Sequence, residues 1–177
     1  MAITVDQLVK IMPYAKSRAA LFVDPLNAAM RRFGINTLAR ETAFIAQIAH
    51  ESGELRYVKE LASGAAYEGR ADLGNTEPGD GARYKGRGLI QITGRDNYDK
   101  CGEALGINLL DDSELLERPD WAAMSAAWFW ATHGCNTLAD SGFFERITRR
   151  INGGTNGADS RLAYFRIATQ EMGSANA

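Results

Sequence analysis

Two stretches of this 177-residue chain hold the residue types best suited to chemistry. Ala49-His50-Glu51-Ser52-Gly53-Glu54 places a carboxylate where an apolar run meets a glycine-containing turn. Tyr84-Lys85-Gly86-Arg87-Gly88-Leu89-Ile90-Gln91-Ile92-Thr93 is a glycine-punctuated segment ending in small polar groups able to contact a sugar or a water. Cleaving a glycosidic bond needs one carboxyl to protonate the leaving oxygen and usually a second on the other face of the sugar. The carboxylates near the polar loops are Glu51, Glu54, Glu60 and Glu68. Together these features point to acid/base hydrolysis of a polysaccharide.

Glu51 follows apolar helix residues, so its side chain is expected at the edge of a core. Partial desolvation there would favour the protonated form that a general acid needs. An ordinary helix-end surface carboxylate is the equally open alternative. Glu60 lies nine residues later. On an unbroken helix that spacing is half a turn out of phase and rises about 13 Å. The two groups can face one substrate only if the chain bends between them, and Gly53 supplies a place for the bend. A separation of roughly 6.5–9.5 Å would then leave room for a water and imply inversion. The plainer reading of Glu60 is a solvated charge beside Lys59.

Other chemistries fit less well. The HExxH zinc motif needs a histidine where this chain has Glu54, and His133 is the other histidine of two, so no metal is expected. His50 reads as a packed residue whose ring nitrogens hold a loop. Neither Cys101 nor Cys135 sits in a sharp glycine-framed turn of the kind a thiol nucleophile would occupy. Gly86-Arg87-Gly88 lacks the spacing of a phosphate loop and reads as close backbone approach at a bend into a strand. Alternation along Leu89 to Thr93 would put Gln91 and Thr93 on one face, Ile90 and Ile92 on the other. No cofactor is expected.

These groups need elements to position them. Thr4 and Gln7 form a capping box that opens a helix to about Ile11, which Pro13 interrupts. A helical pattern follows over Ser17 to Phe33, with Pro25 marking a new start and Gly34 a stop. Thr37 or a neighbour starts Leu38 to His50, a core helix. Glycines at 64, 69, 74, 79, 81 and 86 spell turns and long loops over 62–86, and a loop of that size in a compact domain is usually functional. Further helices are expected over Asn97 to Leu105, from Pro119 through the apolar Trp121 to Trp130, from a cap at Ser141 or a neighbour to Ile151, and from Asp159 or Ser160 to about Met172. The fold class is mainly α, with a small β element.

Length and 45% hydrophobic content fit one domain over 1–177 with a sizeable core rather than a disordered chain, with no separate binding module. A net charge of −2 excludes a strongly basic nucleic-acid surface. Two cysteines are too few for a disulfide scaffold and read as buried thiols. No secretory signal and no bilayer-spanning run is visible, so no membrane insertion is expected. A monomer is the expected state.

The ordered motifs resemble glycoside hydrolase family 19, the chitinase family that also contains many phage endolysins. His50-Glu51-Ser52-Gly53 resembles the family's His-Glu-Thr/Ser-Gly. Tyr57-Val58-Lys59-Glu60 resembles the bacterial branch, and Tyr84 to Thr93 resembles the Tyr-x-Gly-Arg-Gly-Pro-Ile-Gln-Leu-Ser/Thr segment, with Leu89 in place of proline. Asn97-Tyr98, Trp128-Phe129-Trp130, Ile151-Asn152-Gly153-Gly154 and Arg161-Leu162-Ala163-Tyr164-Phe165 continue the match over roughly residues 38–168. The resemblance implies a lysozyme-like α-helical domain whose β element lines a cleft, and inverting hydrolysis next to an N-acetylated sugar. It implies Glu51 as acid, Glu60 as base with Glu68 as the rival, and Thr93 holding the attacking water. Gln91, Asn97, Tyr98, Asn152 and Arg161 would bind substrate, with an ordinary helix stop at Asn152 and a plain salt bridge at Arg161 as open alternatives.

The absence of a leader and of binding modules favours an endolysin held in the host cytoplasm before release to the cell wall. Its expected partner is the bacterial peptidoglycan glycan strand, which it would cleave as a muramidase. A chitinase, a lytic transglycosylase and a non-catalytic glycan-binding module stay open beside it.

Overall fold

A computed structural model describes residues 2–174. Thr4 and Gln7 do form a reciprocal capping box, and it opens α1 (Val5–Ile11). Pro13 then starts a single 3₁₀ turn. Helix α2 (Ala19–Arg32) corrects the expected break at Pro25, which lies inside one continuous helix. Phe22, Leu26, Ala29 and Met30 are buried on a shared face that packs against α6, and this burial outweighs one lost hydrogen bond. The residue left without a donor, Leu21, is 59% exposed, so water is available to its carbonyl.

Thr37 caps α3 (Leu38–Glu51) by accepting the Arg40 N–H. Every residue from Glu41 to Ala49 is buried, so α3 is enclosed on all sides rather than along one stripe. Its longest contact is with α9 (Ala158–Gly173). The result is a rigid post with Glu51 at its end.

Short elements follow: a one-turn helix α4 (Asp80–Arg83), then α5 (Arg95–Leu105), closed by Gly106 in the left-handed conformation. Helix α6 (Pro119–Thr132) is apolar on every side and joins two cores. Its Trp130 belongs to the larger core of α1, α2, α3 and α9, where it meets the Phe44 ring edge-on at 5.3 Å. Its Trp128 belongs to a smaller core with Tyr84, Ile92, Tyr98, Cys101 and Leu116.

Three further expectations change. A helix α7 (Cys135–Asp140) precedes α8 (Phe144–Asn152), and Ser141 closes α7 instead of capping α8. The last helix starts at Ala158, behind Gly157. Leu89 to Thr93 is not a strand. Arg87 and Ile92 exchange both backbone hydrogen bonds, at 3.1 and 2.8 Å, around a tight turn of four residues. Gly88 takes a φ of +95°, and the Leu89 N–H is captured by the Ala122 carbonyl of α6, which bends the segment before it can extend. The β element is thus two isolated bridges, Lys59 with Arg87 and Arg87 with Ile92. This turn spans the junction of the cores: Leu89 and Ile90 enter the larger, Ile92 the smaller.

Cys101 and Cys135 are both free and buried. Burial pushes their thiols up to about 12 and about 11, which removes the thiolate a nucleophile would need.

Candidate active site

Glu51 is the last residue of α3, and its carboxylate receives the Arg161 Nη2 at 2.5 Å. Arg161 comes from α9 and is 1% exposed. Its Nη1 donates to Gln47 Oε1 at 2.5 Å and its Nε to the Asn156 carbonyl at 3.2 Å. Gln47 donates in turn to Thr148 Oγ1 at 2.9 Å. Gln47 and Glu51 sit one turn apart on α3, so one guanidinium reaches both. The resemblance implies that Arg161 lines the cleft, with a salt bridge as the alternative, and a salt bridge is what forms. The structure buries it as the group that orients Glu51. Glu51 thus carries a cation partner at the edge of the core.

The chain reverses immediately after Glu51. Gly53, Glu54 and Leu55 take consecutive positive φ values of 55°, 60° and 64°. The Glu54 N–H bonds to the Ala49 carbonyl, and the Tyr57 N–H to that of Ser52. The Ser52 hydroxyl locks the turn by accepting the Leu55 N–H at 2.8 Å. The bend expected at Gly53 is therefore real and includes two non-glycine residues, each costing about 1–3 kcal/mol in this conformation. The half-turn offset of a straight helix does not apply.

Beyond the turn, Glu60 pairs with Gly86. The Glu60 N–H donates to the Gly86 carbonyl at 2.8 Å, and the Gly86 N–H to Glu60 Oε2 at 3.1 Å. Tyr67 donates its hydroxyl to Glu60 Oε1 at 3.1 Å. Burial, then the carboxylate beside it, pushes the Tyr67 phenol up, so it stays a donor. A Cβ at Gly86 would lie 2.5 Å from Gln91 Oε1, which places the Gln91 amide over Gly86 beside Glu60. The Thr93 hydroxyl has no hydrogen-bond partner among the described residues, and the Thr93 carbonyl accepts Asn97 Nδ2 at 2.7 Å. Gly86 thus brings Glu60 and Gln91 together, and Asn97, from the first turn of α5, fixes the end of the turn at Thr93.

The pieces under this turn are ionic. Glu117 accepts Arg87 Nε at 2.8 Å and Lys59 Nζ at 2.9 Å, tying together the two segments that flank Glu60 and Gly86. Burial raises the Glu117 carboxyl, but the bonds from Arg87 and Lys59 outweigh it and hold it below the usual carboxylate range. Tyr98, expected to bind substrate, is fully buried. Its hydroxyl donates to the Lys85 carbonyl at 2.6 Å and accepts from Arg87, so it supports the loop and presents no surface to a glycan. Asn152 is exposed at the end of α8.

The 62–83 loop is stapled rather than loose. Arg95 grips both oxygens of Asp80 at 2.8 and 2.7 Å. Buried Asn75 bonds the Tyr67 carbonyl and the Arg95 N–H. Glu68 accepts the Gly79 and Gly81 N–H groups at 2.6 and 2.7 Å, one on each oxygen. The loop's polar interior fixes Tyr67, and Tyr67 fixes Glu60. Gln47, Tyr67 and Glu117 went unnoticed in the sequence. Only Gln47 carried a signal, its position one turn before Glu51.

His50 does hold a loop. Its Nδ1 is 3.1 Å from Ser160 Oγ, and its ring lies against Gly157, whose φ is +70°. A Cβ at Gly157 would collide with the imidazole. Gly157→Ala should therefore cost at least about 1–2 kcal/mol from the left-handed backbone alone. It should also disturb the loop whose Asn156 carbonyl holds Arg161. Thermal melting and activity should fall together.

Burial, then the nearby Arg161 charge, lowers the pKa of His50. The unfolded chain therefore binds more protons just below pH 6.5. Stability from this group is present above that pH and is lost as pH falls through the lowered folded value. Melting temperature should drop on mild acidification, before carboxylates titrate, and His50→Gln should flatten that drop.

The family model for glycoside hydrolase family 19, chitinase class I, matches residues 33–161. A Haemophilus influenzae protein described as a glycosyl hydrolase family 19 domain-containing protein is 30% identical over 188 residues, covering 89% of this chain and 90% of that one. An Arabidopsis thaliana endochitinase is 41% identical over 113 residues, covering 63% of this chain and 38% of the plant protein. The crystal structure of chitinase C from Streptomyces griseus superposes with a TM-score of 0.80 at 28% identity, covering 97% of this chain and 77% of that one. With its mainly helical, lysozyme-like architecture, this chain belongs to glycoside hydrolase family 19 and is a chitinase-like glycoside hydrolase.

Proposed function

We propose that the chain hydrolyses the β-1,4 bond of bacterial peptidoglycan as an inverting muramidase, with Glu51 as general acid and Glu60 as general base. The observation that carries the mechanism is the pair of differently held carboxylates. Arg161 and its partners aim Glu51 from α3. Tyr67 and Gly86 hold Glu60 in the segment beyond the reversal. As Glu51 delivers its proton to the leaving oxygen, Glu60 takes one from a water that the free Thr93 hydroxyl helps hold. Gln91, Asn97 and Asn152 would contact the sugars. Glu60 is favoured over Glu68 because it is half-buried and pairs with Gly86 beneath the Gln91 amide, whereas Glu68 is exposed and holds the Gly79 and Gly81 N–H groups of the loop.

The near full-length match to a Haemophilus influenzae protein supports a bacterial setting, in which wall glycan is the N-acetylated β-1,4 polymer at hand. Within this reading the whole chain acts as one catalytic unit and serves as an endolysin, held in the host cytoplasm until it reaches the wall. Chitin is the second reading, favoured by the relatives named endochitinases. Digestion of purified sacculi tests the choice. The expected products carry N-acetylmuramic acid at the new reducing end, released first as the α-anomer. N-acetylglucosamine ends alone, anhydro-sugars, or action confined to chitin oligomers would each overturn it.

A further inference from the structure

Beside the acid lies a cavity of about 590 Å³ that the mechanism does not use. His50 and Ser160 line it, and their chain neighbours Glu51 and Arg161 form the ion pair. Its other walls include Arg18, Glu54, Arg56 and Tyr164. Glu54 is 6% exposed, and both its oxygens are engaged, one by the Tyr14 N–H at 2.6 Å and one by the Tyr164 hydroxyl at 2.7 Å. Neither arginine is paired with its carboxylate among the described residues.

The two guanidiniums are unmatched. Arg18 donates to the carbonyls of Tyr14 and Glu54, and its buried Nε has no partner among the described residues. Arg56 lies over the Tyr57 ring at 5.1 Å and is exposed. Neither forms an ion pair among the described residues, whereas most arginines near the proposed site do: Arg70, Arg87, Arg95 and Arg161 each hold a carboxylate. The wall also carries the strained Glu54 and Leu55 backbone, and such strain concentrates at ligand sites. Two arginines that line one cavity without a carboxylate partner among the described residues suit a planar, carboxylate-bearing ligand.

We infer that this cavity receives the carboxylates of the peptide stem that branches from the wall glycan, so that the chain reads the stem as well as the sugars. The inference rests on the wall-glycan reading of the substrate. It makes the enzyme faster on strands that carry stems than on bare ones, without a new catalytic group.

The test compares peptide-bearing strands with strands stripped by an amidase, which leaves only the lactyl carboxylate on the ring. The wild-type chain should favour the peptide-bearing form. The ratio of kcat/KM on the two substrates should fall about tenfold in Arg18→Gln and in Arg56→Gln, the loss expected for one charge-assisted contact. Arg56→Gln removes only a ring contact, so it decides the matter if Arg18→Gln folds poorly. An unchanged ratio in Arg56→Gln overturns the inference. If the wild-type chain cleaves neither form, the wall-glycan reading has failed by itself, and titration with the free stem tetrapeptide then judges the cavity. Saturable binding weakened in Arg56→Gln supports it; no binding overturns it.

Discussion

Glu51→Gln should lower kcat by about 10²–10⁴-fold, the usual contribution of a positioned general acid. The reason lies in what glutamine keeps and what it loses. Its carbonyl oxygen can still accept Arg161 Nη2, which holds Glu51 at 2.5 Å, so α3 and α9 stay docked. The carboxyl proton is gone. Some stability goes with it, because buried Arg161 loses its charge partner while keeping Gln47 and the Asn156 carbonyl. A loss of about 1–3 kcal/mol is expected from weakening one such bond. At about 2–4 °C per kcal/mol for a chain of this size, melting should fall by several degrees. The decisive measurement is single-turnover rate at 25 °C on protein shown folded by circular dichroism. A folded Glu51→Gln that retains more than a tenth of the wild-type rate would remove Glu51 from the acid's role.

Glu60→Gln should cost a comparable factor, and it separates a hydrolase from a transglycosylase, which needs only one essential carboxyl. Glutamine fits the site: its carbonyl oxygen can take the Gly86 N–H, and its amide can donate to the Tyr67 hydroxyl oxygen, reversing one bond. The loop therefore stays closed while the base is lost. Azide, a nucleophile that needs no base, should restore turnover and give an α-glycosyl azide if the reaction inverts. Glu68→Gln is the paired control. It should leave kcat within a few fold, since Glu68 holds the Gly79 and Gly81 N–H groups of the loop. Full activity in Glu60→Gln with inactivity in Glu68→Gln would exchange the two assignments.

Much of the site was legible as residues but not as contacts. The stretch around Glu51 announced a carboxylate at a helix end because local rules govern it: an apolar run, then Gly53. The Thr4–Gln7 box, the Thr37 cap and the Gly106 stop were legible for the same reason, each being satisfied within a few residues. Pro25 misled because a local breaking rule met a buried face on α2, and packing against α6 decided. The Leu89–Thr93 strand misled because alternation of Ile90, Gln91, Ile92 and Thr93 matches their burial without requiring an extended chain. A capture by α6, at Ala122, turned it.

The sequence alone determined which chemistry was available: the ordered motifs, the two candidate acids and the lack of a good metal or thiol alternative. Tertiary structure decided how those groups are held. Arg161 lies 110 positions from Glu51 and its motif marks it as a site residue without naming its partner, yet in the fold it is buried against that carboxylate. Tyr98 reads as a sugar-binding ring and is instead a sealed support under Arg87. Hydrogen bonding along a helix or turn is local and leaves a pattern in sequence. Partnership between buried charges depends on which surfaces meet when two cores close around α6, and no spacing along the chain records it.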